Sequence, residues 1–185
     1  MNTYVTQNNL LLTKLLQFYS DKTKLDSMLE IINGTSKISL RLVDWFVTNY
    51  AKKNFTVITS LNKNTRFKVH VQYKLQLKAY SKKRFDPFCR WERVSIPYSD
   101  NQYIETTIGQ LNFFKWFIEN NILTYIENNF TQIERDMNNR NSISRQNREK
   151  KTKTRKKREE LSVNAIKSIR KEDVEIVVSF KDPSK

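Results

Sequence analysis

Cysteine, histidine and glycine are nearly absent from this chain of 185 residues: Cys89, His70, Gly34 and Gly109 are the whole supply. A single cysteine excludes an internal disulfide and fits a reducing compartment. One histidine and one cysteine cannot build a tetrahedral zinc site of the common kind. Nor do they suggest a Cys–His nucleophile, since His70 is predicted on a strand face and Cys89 in a loop, with no third partner evident. Two glycines exclude a glycine-rich phosphate loop. Long apolar runs are also missing, and none approaches the roughly 18 residues of a membrane helix. Met1 to Thr6 carries no basic segment followed by an apolar block, so neither a signal peptide nor a membrane partner is expected. Asp44, Asp86, Asp100 and Glu105 show no pairing at a metal-binding spacing, whereas a nuclease or polymerase needs clustered carboxylates for magnesium. The sequence therefore predicts no catalytic residue, no metal and no cofactor, and the chain reads as a non-enzyme.

What is present supports a folded core. Aromatic residues make up 12% of the chain and hydrophobic ones 38%, more than a disordered chain carries. The first third reads as helices. Asn8 and Asn9 precede Leu10, Leu11, Leu12, Leu15, Leu16 and Phe18, a run ending near Ser20. A second helix fits Lys22 to Ile32 and is stopped by Asn33-Gly34. A third fits Ser39 to Lys53, with Ser39 as its cap.

The middle changes period. From Phe67 to Ala79 every odd position is apolar or aromatic and every even one polar, which predicts a long strand with one buried and one basic face. Arg66, Lys68, His70, Lys74 and Lys78 would share that basic face, which has no exposed aromatics for stacking bases. Phe55 to Ser60 reads as its hairpin partner through Asn62-Lys63-Asn64, and Arg93 to Tyr98 as a third strand. The loop between holds Arg84-Phe85-Asp86-Pro87-Phe88-Cys89-Arg90-Trp91. Its arginines, with Arg93, could bind phosphate and its aromatics could stack bases; the alternative is a loop tied down by burying its rings. Thr107 and Gln110 have capping-box spacing. They open one long helix to near Met137, in which the block Phe113 to Phe117 is expected to be core. Val174 to Phe180 alternates as a terminal strand able to join the sheet edge.

The fold class expected is α+β: N-terminal helices and one long helix packed on a small antiparallel sheet, with a basic disordered linker. The boundaries are 1–139 for the folded domain, 140–160 for the linker and 161–185 for the C-terminal segment.

The linker dominates the charge. Arg140 to Arg158 holds ten Lys or Arg and one acid, and the whole chain has a formal net charge of +15. Such a segment suits a polyanion, of which nucleic acid is the commonest. The phosphate contacts expected are Arg145, Arg148, Lys150, Lys151, Lys153, Arg155, Lys156, Lys157 and Arg158, with Lys82, Lys83 and Arg84 second. The same cluster also fits a localisation signal or a solvated spacer.

Two phrases, Leu42 to Tyr50 and Tyr80 to Arg90, resemble an uncharacterised protein family of the nucleocytoplasmic large DNA viruses. So do Glu105 to Phe114 and the basic linker running into Glu160-Leu161-Ser162-Val163. The Asn- and Lys-rich composition is similar to that of mimivirus-like giant viruses. The resemblance covers residues 40 to 180 and brings no catalytic residues with it. It implies a viral protein of the virion or of a factory in the host cytoplasm. Its expected partner is nucleic acid, DNA bound without sequence preference, together with other virion proteins. A structural role as a minor capsid or core protein is the alternative.

Overall fold

A computed structural model describes residues 7–60, 65–99, 102–150 and 171–173 of the protein. The N-terminal helices form where leucine spacing and caps place them. α1 (Gln7–Tyr19) buries Leu15 and Tyr19. α2 (Lys22–Asn33) begins at Asp21, whose side chain accepts from the Thr23 amide at 3.1 Å. It stops at Gly34, where φ is 76° and a side chain would strain the left-handed backbone. α3 (Leu40–Trp45) is capped by Ser39, whose Oγ accepts from the Leu42 amide at 3.2 Å. It runs through a π-helical turn (Phe46–Tyr50) into α4 (Ala51–Lys53). The Ala51 amide donates to the Phe46 carbonyl, a five-residue bond that hydrophobic periodicity does not announce.

The expected long strand is mostly a helix. β1 (Val57–Thr59) pairs antiparallel with β2 (Arg66–Lys68), Ile58 opposite Phe67. The chain then turns into α5 (Val69–Arg84). The reason lies in the pattern itself, because strict alternation contains two series spaced by four. Val69 and Tyr73 are buried and Leu77 packs, half-buried, against the core; Val71, Leu75 and Ala79 face outward. Lys, Leu, Gln and Ala, which fill this segment, also favour helix. The hairpin is as expected, though its turn, Asn62-Lys63-Asn64, lies outside the described residues.

The strands form two sheets, not one. β3 (Arg93–Ser99), β4 (Gln102–Thr107) and β5 (Lys171–Asp173) make the second, antiparallel throughout in the order β3-β4-β5. The C-terminal segment thus does reach the sheet. The part expected as a strand, Val174 to Phe180, is outside the described residues.

The expected long helix is three: α6 (Ile108–Glu119), α7 (Ile122–Asn128) and α8 (Phe130–Lys150). Asparagines make the breaks. Asn121 is left-handed at φ 57°. The side chains of Asn120 and Asn129 donate to the carbonyls of Trp116 and Tyr125 at 2.7 and 2.9 Å, competing for helical backbone. α8 runs past the expected boundary at 139, so Arg140 to Lys150, expected as flexible linker, is helical.

α6 is the central element. Phe113, Phe114 and Phe117 are fully buried, and Phe113 lies 5.3 Å from Phe85, so the aromatic block is core. Thr107 Oγ1 accepts from the Gln110 amide at 3.1 Å, the expected cap. The Gln110 side chain accepts from the Thr106 hydroxyl and donates to the Pro87 carbonyl, both at 2.9 Å. Both bonds are buried and tie β4 to the loop after α5.

Candidate nucleic-acid interface

The basic residues of the folded part concentrate in one stretch. From Trp45 to Phe85 there is no acid, and Lys52, Lys53, Lys63, Arg66, Lys68, Lys74, Lys78, Lys82, Lys83 and Arg84 all fall within it. This block matches the linker in cation number. The sequence signal that marks it is the length of the acid-free run, not the local density of cations.

Apart from Lys63, which lies outside the described residues, and half-buried Arg84, these cations are exposed. On the hairpin, Arg66 and Lys68 sit opposite Thr59 and Val57, all exposed, while Ile58 between them is buried. Lys68, the residue that caps α5, and Val71, Leu75 and Lys78 on it recur at spacings of three and four and are all exposed, so cations stand at both ends of an apolar centre. The basic strand face expected for Lys68, His70, Lys74 and Lys78 is therefore replaced by a helix surface. His70 turns inward instead, its Nδ1 donating to the Val47 carbonyl at 3.0 Å. An exposed aromatic does occur nearby: Phe55, 75% exposed with φ 50°, a backbone setting rare for a bulky residue.

Ser81, at φ 59° and ψ 170°, breaks α5 just before Lys82, Lys83 and Arg84. The structure brings these three together at the end of α5. Lys82 and Lys83 are exposed. The Lys83 ammonium lies 5.8 Å from the Trp91 ring centre, and Arg84 donates to Gln7 at 3.2 Å. Gly109 is the neighbour that fits them. A Cβ on it would stand 3.0 Å from the Lys83 carbonyl oxygen.

The loop that follows is tied down. Arg90 grips Asp86 through two hydrogen bonds of 2.8 and 2.9 Å. Arg93 holds Glu105 at 2.7 Å, and Phe85 and Phe88 are buried. Of its aromatics only Trp91 is exposed, at 41%. Asp44 and Asp86 are the acids at the two borders of the acid-free stretch. Burial, reinforced by Asp86, pushes the Asp44 carboxyl up to about 6 against the pull of Arg90 and Lys82. Burial, with Asp44 and Asp86 adding, pushes the Tyr73 phenol up to about 12. Cys89 is buried, and among the described residues no three His, Cys, Asp or Glu gather where they could hold a metal.

The linker residues divide. Arg145, Arg148 and Lys150 lie on the last turns of α8. Lys151, Lys153, Arg155, Lys156, Lys157 and Arg158 lie outside the described residues.

Residues 2–184 match a family of unknown function, DUF7197. The uncharacterized protein L507 of Acanthamoeba polyphaga mimivirus is 46% identical over 149 residues, covering 76% of this chain and 56% of that protein. The chain thus spans about half the length of this relative. No solved structure matches it.

Proposed function

The chain belongs to DUF7197, with a giant-virus relative, and from that premise we propose that it is a non-enzymatic viral nucleic-acid-binding protein. The observation that carries the reading is the pair of cation blocks. One is acid-free and displayed on the hairpin and α5; the other is Arg140 to Arg158. Lys and Arg at this density bind phosphate backbone by releasing its counterions, without regard to sequence. DNA in the virion or in a cytoplasmic factory is the partner this charge suits.

The test is fluorescence anisotropy of labelled duplex DNA with the full chain, titrated across salt. A companion variant has the nine bases from Arg145 to Arg158 replaced by Gln. The wild type should bind, with log affinity falling against log salt by about 0.9 per phosphate contacted. The variant should bind more weakly with a shallower, non-zero slope, the folded block retaining its contacts. No binding at low salt, or binding indifferent to salt, overturns the reading.

One observation favours a second reading, a structural virion component working through protein contacts. Val71 and Leu75, one turn apart on α5, are 51% and 52% exposed, an apolar centre suited to another protein. In that case incorporation into particles survives the nine-fold Gln replacement.

A further inference from the structure

Behind the basic face the fold leaves an open pocket of about 290 Å³. Gln72 and Gln76 of α5, Thr65 and Phe67 of the hairpin, and Trp116 and Glu119 of α6 line it. Its volume is at the bottom of the range for small-molecule sites, suited to a single ring system.

Three features define what would fit. Gln72 and Gln76 are one turn apart, so their carboxamides enter from the same side. Both are half-buried, and neither side chain hydrogen-bonds another described residue. Each therefore keeps a donor and an acceptor for a ligand. Trp116 and Phe67 add aromatic surface, and Trp116 is braced from behind by Phe85 and Phe113 at 5.5 and 5.8 Å. Glu119, held by Lys115 at 3.0 Å, adds an acceptor for an amino group.

Flat rings and paired amide edges complement a planar heterocycle with its own donors and acceptors. Gln reads adenine through such a bidentate pair, and a carboxylate accepts from an exocyclic amine. Arg66 and Lys68 flank Phe67 on β2 and alternate to the opposite face of the strand, so they would hold the backbone of a strand crossing the hairpin rather than line the pocket.

We propose that this pocket receives one unpaired nucleobase of a single-stranded nucleic acid, Gln72 and Gln76 reading its edge and Trp116 and Phe67 lying along its faces. The proposal rests on the nucleic-acid reading above and adds to it a preference for single strands. A duplex keeps its bases stacked and presents no free ring to the pocket.

The experiment compares labelled single-stranded and duplex DNA of equal length at low salt, with intrinsic tryptophan fluorescence recorded in the same titrations. The proteins are the full chain, Gln72→Leu/Gln76→Leu, and Gln76→Met as a milder, uncharged variant of similar side-chain size. The wild type should prefer the single strand, which should quench its tryptophan emission. Both variants should lose that preference by roughly five- to 150-fold, the range of one good bidentate pair, while duplex affinity and salt slope stay unchanged. Equal wild-type affinity for both forms, or a preference untouched by both variants, overturns the pocket and leaves the nucleic-acid reading standing. Absence of binding to either form overturns both.

Discussion

Asp44 should make the protein more stable when it cannot ionise. Its carboxyl is pushed up to about 6, while an unfolded chain releases that proton near roughly 3.9. The native state thus holds the proton more tightly than the unfolded one. Above pH about 6 the fold carries the full penalty of a desolvated charge, and the penalty fades as pH falls toward about 4. A difference of about two pH units corresponds to a ceiling near 3 kcal/mol. Partial exposure of the group lowers this to roughly 1.5–2.5 kcal/mol. Asp44→Asn keeps the shape and removes the ionisation. Urea unfolding of both proteins from pH about 4 to about 8 should show the variant more stable at the alkaline end by that amount. In thermal unfolding this is roughly 3–10 °C for a chain of this size. The advantage should close to near zero at the acid end. Carboxylates held low, such as Asp21, lose their own stabilisation in acid, but they do so in both proteins and cancel in the comparison. A variant no more stable than wild type at pH about 8, or one offset equally at every pH, refutes the reasoning.

Three further outcomes follow from the same geometry. Arg90→Ala removes the half-exposed partner of Asp86, itself 3% exposed, and should cost about 1–3 kcal/mol in denaturant unfolding; an unchanged stability would contradict the pairing. Gly109→Ala drives a methyl to 3.0 Å from the Lys83 carbonyl and should lower stability by about 1–3 kcal/mol, with an unchanged melting temperature counting against the close approach. Phe55→Asn relieves the left-handed backbone at φ 50° and gives up little burial. It should raise stability by about 0.5–1 kcal/mol, and calorimetry showing a clear loss would mean the ring is packed after all.

Legibility in the sequence followed the locality of the cause. Caps were readable at Ser39 and Thr107, and the stop at Gly34, because each acts on its own neighbours. The aromatic block on α6 was readable as core because its bulk leaves no other place for it. α5 was not readable, since an alternating pattern satisfies a strand and a helix equally until something decides which residues are covered. Here Val69 and Tyr73 are covered and Val71 and Leu75 are not. The π turn at Phe46–Tyr50 and the roles of Gln110 depend on partners far along the chain. Of the candidate interface, Lys82, Lys83 and Arg84 were legible as a cluster. The amide pair Gln72 and Gln76 is not legible from an alternating pattern, because an extended chain sets the two about 13 Å apart at roughly 3.3 Å per residue.

β5 pairs with β4 at Gln102, Tyr103 and Ile104, so three residues from far along the chain cover the side of β4 that β3 leaves open. Cutting the chain before Lys171 would uncover that side. Its unpaired amides and carbonyls would then offer a template to a second copy, and the truncated protein should self-associate along it.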